Sequence, residues 1–306
     1  MLPFLLLAAS ALVPADKVFR LTPQISEESS WSPDSRRLVF DSNRGGGPTK
    51  LYVMNADGSN VSQLTSGPGT DETAAWSPDG RRIAFVSDRG GKPEIWVVDA
   101  DGKNRRQVTR DGGAAIHPHW ARDSRRIIFC SGREKPERYE IHVVDADKGT
   151  VTQLTNDGGI NTFPVYSPDG SHIAFRRVLA GNSEVFVMDA DGENARNLTN
   201  HPAFDGWPAW SPDGVRIVFG SDRTGEYRIW VMNADGTDAK QLVDVPGRCT
   251  SPKWSPDGQW ISFDRALERS CEILRVPAAD VAPRRLRLHS QRHPPNAFAP
   301  GVGGAR

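Results

Sequence analysis

Short apolar runs recur along this chain, each bounded by glycine, proline or aspartate. One set reads Leu38-Val39-Phe40, Ile83-Ala84-Phe85, Ile127-Ile128-Phe129, Ile173-Ala174-Phe175, Ile217-Val218-Phe219 and Ile261-Ser262-Phe263. A second reads Leu51-Tyr52-Val53-Met54, Ile95-Trp96-Val97-Val98, Ile141-His142-Val143-Val144, Val185-Phe186-Val187-Met188, Ile229-Trp230-Val231-Met232 and Ile273-Leu274-Arg275-Val276. Runs of this length, rich in β-branched and aromatic residues and separated by turn formers, predict β-strands. No stretch carries a helical period. Both faces of the runs are apolar, so their sheets are expected to pack face to face.

The polar punctuation is periodic as well. Trp-Ser-Pro-Asp or a close variant is anchored at Trp31, Trp76, Trp120, Tyr166, Trp210 and Trp254, at steps of 45, 44, 46, 44 and 44 residues. Trp120 carries the degenerate form, Ala121-Arg122-Asp123-Ser124. A period in the forties marks a propeller blade of four short strands. In the second unit, Ser77-Pro78-Asp79-Gly80 is a tight turn in which proline presets φ and glycine accepts a positive φ. Six units run from about Val18 to about Val281. The reading is all-β: a six-bladed β-propeller of four-stranded antiparallel blades over residues 16–290. Val18-Phe19-Arg20-Leu21-Thr22 matches a fourth strand out of phase, which would close the ring from the N-terminus and remove an exposed edge. Arg284-Arg285-Leu286-Arg287-Leu288 is the rival for that slot. Residues 291–306, rich in Pro, Gly and Ala, read as a disordered tail.

Charge and composition narrow the function. Lys plus Arg and Asp plus Glu each total 38, which argues against a nucleic-acid or acidic-membrane surface. A hydrophobic content of 37% with 29 Gly and 23 Pro suits many short strands and turns. Three cysteines, Cys130, Cys249 and Cys271, leave at least one thiol unpaired within the chain. A Cys249–Cys271 bridge within one blade is open. Cys130 reads as a small apolar filler. Residues 1–15 read as a signal peptide, with small residues at either Ala9-Ser10-Ala11 or Val13-Pro14-Ala15 for cleavage. That places the protein in the periplasm or outside the cell, or in the cytoplasm if the segment is not a leader. No later run is long and apolar enough to span a bilayer.

The repeat, written from this chain as Trp-Ser-Pro-Asp-Gly, Ile-Ala-Phe, Ser-Asp-Arg, Glu-Ile-Trp-Val-Val-Asp-Ala-Asp-Gly and Gln-Leu-Thr, resembles the TolB-type (WD40-like, PD40) propeller repeat over all six units. The resemblance implies a six-bladed propeller of the bacterial cell envelope and a protein partner at one mouth; TolB itself binds an envelope lipoprotein there. TolB also carries an α/β domain ahead of its propeller, for which the residues before the first strand here leave no room. Similar repeats occur in prolyl-oligopeptidase-like enzymes, but the Gly-x-Ser-x-Gly of their hydrolase domain is missing here.

Asp99 to Gly102 and Asp189 to Gly192 look like the start of a calcium loop, but the later oxygen ligands are absent and a turn explains them. Ser-Asp-Arg at Ser87 to Arg89 and Ser221 to Arg223 recurs, which points to inter-blade ion pairing rather than catalysis. His117 and His119 share a strand face, and His201 lies on a matching approach; together they are the candidate metal ligands. The segments leading into each first strand differ from blade to blade, and variable connections on a rigid scaffold commonly carry recognition. From them come the candidate partner-binding residues: Asp71, Glu72, His117, His119, Phe163, Phe204, Asp205, Trp207 and Arg248. The sequence therefore reads as an exported, monomeric, non-enzymatic propeller that needs no cofactor and binds a protein or peptide at one channel mouth. The competing reading is a hydrolase or lyase at that mouth, with or without a metal.

Overall fold

Six four-stranded antiparallel sheets follow one another around a ring. The computed structural model describes residues 12–13, 17–22, 26–110, 112–135, 138–268 and 270–280. In blade 1 the strands are Ser26–Trp31, Arg37–Ser42, Lys50–Asn55 and Ser62–Gln63, from channel to rim. Blades 2 to 5 repeat that order from inner strands Asp71–Trp76, Ala115–Trp120, Ile160–Tyr166 and Asp205–Trp210.

Blade 6 is assembled from both ends of the chain. Arg248–Trp254, Trp260–Leu267 and Ser270–Pro277 are its inner three strands, and Phe19–Arg20 pairs outside them, Phe19 opposite Arg275. A side-chain hydrogen bond shows the phase to be the same as elsewhere. In blades 1 to 4 the threonine ending the outer strand accepts the N–H at the start of the third strand: Thr65 from Leu51, Thr109 from Ile95, Thr155 from Ile141 and Thr199 from Val185. Thr22 does this for Ile273 at 3.0 Å. The rival strand at 284–288, the tail at 291–306 and most of the leader lie outside the described residues.

Each blade is filled by one phenylalanine from its second strand. Phe40, Phe85, Phe129, Phe175, Phe219 and Phe263 are all fully buried. The Trp-Ser-Pro-Asp turn holds itself closed: Ser77 Oγ donates to Asp79 at 2.6 Å and accepts the Arg82 N–H at 2.9 Å, while Gly80 takes φ of 73°. Where serine replaces that glycine, the backbone stays left-handed, with φ of 59° at Ser35 and 55° at Ser124. Both hydroxyls then accept an N–H from the preceding blade, Asp257 for Ser35 and Asp79 for Ser124. An inter-blade bond that glycine cannot make offsets the strain of the left-handed serine.

Val13, within the segment read from the sequence as a signal peptide, belongs to the packed structure. The Val13 N–H donates to the Leu242 carbonyl at 2.9 Å, and its side chain, 2% exposed, joins the apolar cluster between blades 5 and 6 with Val243, Val245 and Phe263. All three cysteines are free and buried; Cys249 and Cys271 lie on strands separated by Trp260–Leu267. Among the described residues no helix is long and apolar enough to cross a membrane.

Candidate functional site: a bulge-lined channel mouth

Every inner strand breaks its register at one point, between Glu27 and Ser30 in blade 1 and at the equivalent place in the other five. The residue at the break has a left-handed backbone in each case: Glu28, Thr73, His117, Phe163, Trp207 and Ser251, with φ between 49° and 54°. A β-bulge re-aims a side chain and commonly sits beside functional surface. A non-glycine residue held there costs about 1–3 kcal/mol, so the fold maintains this conformation against strain six times over. In blades 3 to 6 the next residue is proline, which suits a position with no ladder hydrogen bond to donate.

The inner strands line a central cavity of about 400 Å³, and four of the six bulge residues, Glu28, Thr73, His117 and Phe163, form part of its wall. Two positions on come Ser30, Ala75, His119, Val165, Ala209 and Lys253. The turn prolines Pro33, Pro78, Pro168, Pro212 and Pro256, with Arg122 in the degenerate turn, line the far end. The six-fold scaffold thus presents a ring of unlike side chains, and their distribution is one-sided.

Blades 3 to 5 and the start of blade 6 carry a continuous aromatic and basic wall. His117 stacks on Phe163 with ring centroids 3.7 Å apart, Phe163 meets Trp207 edge-on at 6.0 Å, and Trp207 lies 4.8 Å from Phe204 and 5.8 Å from Tyr227. Arg176 covers Phe204 at 5.1 Å, and Arg248 covers Tyr227 at 4.5 Å and Trp207 at 5.7 Å. These cation–π contacts tie the two guanidinium groups to the aromatic wall, and Arg176 Nε also donates to the Ser183 hydroxyl at 2.7 Å.

Blades 6, 1 and 2 carry carboxyl groups instead. Glu27, Glu28, Asp41, Glu72 and Asp264 cluster there. Burial first and then the neighbouring Glu28 charge raise the Asp41 and Asp264 carboxyls well above the usual carboxylate range. Glu72 is also raised, by burial and then by Asp88 and Glu28. Asp264 accepts the Glu28 N–H at 3.0 Å and Asp41 the Thr73 N–H at 3.2 Å, so each caps the bulge of the following blade.

The residues singled out from sequence divide accordingly. His117, His119, Phe163, Phe204, Trp207 and Arg248 are partly or fully open to solvent on the aromatic side, and Glu72 is half-buried on the acidic side. Asp71 and Asp205 are not at the surface: both are fully buried. Arg89 grips both oxygens of Asp71 at 2.5 and 2.6 Å, and Arg223 holds Asp205 at 2.8 Å. The Ser-Asp-Arg motif therefore ties a loop to the inner strand of its own blade, not chiefly to the next blade as expected; Lys50 of blade 1 adds one inter-blade contact to Asp71 at 3.4 Å.

His201 does not join the other histidines. Its N–H donates to Glu184 at 3.1 Å and its ring accepts from the Ala203 N–H, away from the channel wall. His117 Nδ1 lies 3.3 Å from the Cys130 sulfur, and His119 Nδ1 accepts the Tyr166 N–H at 3.4 Å. Burial, then the Lys253 charge and for His117 also that of Arg176, push the two pKa values down to about 3 and about 4, so both rings are neutral near pH 7. Among the described residues no three His, Cys, Asp or Glu side chains are grouped to hold a metal. Glu28, Asp41, Arg176, Tyr227 and Asp264 complete the mouth and were not singled out from sequence. The usable signal was departure from the repeat: the position after the second-strand Phe reads Asp41, Val86, Cys130, Arg176, Gly220 and Asp264.

Known proteins with this architecture frame the site. The chain is similar to a putative TolB from Agrobacterium tumefaciens at 25% identity, with a TM-score of 0.70 over 85% of this chain and 96% of that one. It resembles TolB from Acinetobacter baumannii at 24% identity and a TM-score of 0.67, covering 76% of this chain and 57% of that longer protein. An oligogalacturonate lyase from Vibrio parahaemolyticus shares the fold at 16% identity and a TM-score of 0.62, over 87% and 95% of the two chains. Residues 17–158 and 99–301 match the family described as the TolB beta propeller domain, and the chain belongs to that family.

Proposed function

We propose that this protein is an exported, non-catalytic propeller of the cell envelope that binds an extended segment of a protein partner at its bulge-lined mouth. One observation carries the reading. Six structurally equivalent, strained positions project six different side chains, while the turns, core phenylalanines and capping threonines around them repeat. Diversity confined to one ring on a constant scaffold is the pattern of a recognition surface. Phe163 lines the cavity, Trp207 meets its ring edge-on at 6.0 Å, and aromatic side chains dominate interface energetics. The two TolB relatives support the envelope setting. The metal-dependent hydrolase or lyase reading would need ligands beyond His117 and His119, whose Nδ1 atoms already have neighbours.

The test is in-cell photo-crosslinking from a position beside Trp207, followed by identification of the captured protein and measurement of its affinity. A Phe163→Ala, Trp207→Ala double variant is expected to keep its melting temperature within a few degrees and to bind more than tenfold less tightly. Equal affinity in the variant would place the partner elsewhere.

Export is part of the proposal, and the packing of Val13 favours one junction. Cleavage after Ala11 keeps Val13 in the mature chain, whereas cleavage after Ala15 removes it from the cluster between blades 5 and 6. Burying one valine contributes about 1.5–3 kcal/mol, or about 5 °C of melting temperature at this size. Intact mass of the exported protein is expected to match a chain starting at Leu12, and that chain to melt about 5 °C above one starting at Asp16. A mature mass starting at Asp16 would refute the assignment.

A further inference from the structure

The acidic side of the mouth is out of balance. Among the described residues, none of Glu27, Glu28, Asp41, Glu72 and Asp264 takes part in a salt bridge. Elsewhere the buried carboxylates are matched, Asp71 by Arg89 and Asp205 by Arg223 as ion pairs, and Glu140 and Glu184 by three hydrogen-bond donors each. Asp264 is only 3% exposed, and its Oδ1 has no hydrogen-bond partner. A buried carboxyl oxygen with nothing to bond destabilises the folded state.

Scaffolding does not account for it. Asp264 and Asp41 each cap a bulge N–H of the next blade through one oxygen. Yet Val86 and Gly220 occupy the same position in blades 2 and 5, and the bulges of blades 3 and 6 form with the same geometry beside them. A carboxyl is therefore not required for the bulge. Two buried acids, with three more carboxylates at the edge, are an exception to the repeat, and exceptions that cost stability gather at functional sites.

What would relieve the imbalance is positive charge. A compact metal ion needs several oxygen ligands converging at short range, and among the described residues no such group of three is in place. An ammonium or guanidinium needs only a negative field and two or three acceptors within hydrogen-bond reach. The opposite wall fixes the orientation. Glu28 of blade 1 stands three blades from Phe163, across the ring, and the cation already on that far side, Arg176 of blade 4, would repel a second one.

Building on the mouth as the site of partner binding, we propose that the corner formed by Asp41, Asp264 and Glu28 receives a lysine or arginine side chain of the bound segment, so that the recognised sequence pairs a basic residue with an aromatic or branched apolar one. The apolar residue lies against Phe163 and Trp207, and the cation crosses the mouth to the acidic corner.

The experiment pans a phage-displayed random dodecapeptide library on three forms of the exported protein: native, Asp41→Asn with Asp264→Asn, and Phe163→Ala with Trp207→Ala. On the native protein, enriched peptides are expected to carry Lys or Arg within a few residues of Trp, Phe or Leu. On the asparagine form the excess of basic residues is expected to fall to library level while the apolar preference stays. A selected peptide is expected to lose about tenfold in affinity, 1.4 kcal/mol, when its lysine becomes norleucine, and no more when that peptide meets the asparagine form. Enrichment of neutral or acidic peptides, or a basic preference that survives both asparagines, would overturn the cationic ligand and leave the mouth intact as a binding site. No enrichment over the alanine form would overturn both. Millimolar calcium chloride is the remaining arm. If calcium alone raises the melting temperature of the native protein and not of the asparagine form, the corner is a metal site and the proposal fails.

Discussion

Replacing Asp71 with alanine is expected to lower the stability of the propeller by about 3–5 kcal/mol, the usual result of breaking a buried ion pair on one side. Asp71 is fully buried; it accepts two contacts from Arg89, one from the Ser87 hydroxyl at 2.6 Å and a longer one from Lys50. Without it, the Arg89 guanidinium, 8% exposed, has no carboxylate and little access to water. Lys50, equally buried, loses its only ion pair among the described residues. The Asp71→Ala cost should therefore exceed that of Asp205→Ala, which strands one arginine and no lysine. Glu72→Ala, one residue on, is the control: half-buried and without a salt bridge, it should change stability by less than about 0.5 kcal/mol. Urea denaturation of the three variants at pH 7 checks the order, with the slope held constant between them. A loss at Asp71 below about 1 kcal/mol would mean that the pair is screened by water and that the structural reading of Ser-Asp-Arg is wrong.

That contrast marks where the sequence was legible. The blades were readable because a 44- to 46-residue step repeats a turn whose every atom is used, down to Ser77 Oγ bonding both Asp79 and the Arg82 N–H. Ring closure was readable from Thr22, since a threonine at the end of the outer strand does the same work in blades 1 to 4. Asp71 and Asp205 were misplaced at the mouth although the sequence held the clue. Their arginines follow at 18 residues in both blades, and Ser26 meets Arg44 at the same distance along the chain. A fixed offset between an acid and a base in several repeats signals a structural pair. The mouth was only half readable. Phe163, Phe204 and Trp207 stand out by size in the variable approaches, whereas Asp41, Arg176 and Asp264 sit inside second strands, where alternation makes a polar residue look like ordinary outward surface. Only the twist of one blade against the next turns that position toward the neighbouring bulge, and no local pattern encodes it.

Substituting asparagine for both Asp41 and Asp264 is expected to stabilise the protein near neutral pH by about 2–3 kcal/mol, each change contributing the 1–2 kcal/mol typical of relieving an unfavourable group. The two contributions should fall short of full additivity, because removing either charge also relieves the other. The sign follows from linkage. Both carboxyls have folded-state pKa values raised well above 3.8, by burial and by the charges of Glu28 and Glu27 from the blade 1 inner strand, with Cys271 facing the same group from the blade 6 third strand. Between about pH 4 and the raised values the folded protein binds more protons than the unfolded chain, so the native protein loses stability as pH rises through that window. Asparagine does not titrate. The difference between variant and native protein should be small at pH 4 and grow toward pH 8, measured as the gap between their urea midpoints at each pH. His117 and His119, with folded values pushed down to about 3 and about 4, act oppositely, lowering stability as pH falls below about 6.5, but they are present in both proteins and cancel in the gap. A gap that is flat with pH, or of the opposite sign, would mean that the two acids are stabilised by something other than the bulge N–H groups. A gap that grows as described would show that the native protein keeps, in its unbound state, a corner less stable than the same fold could build, which is the energetic trace expected of a surface completed by a positively charged partner.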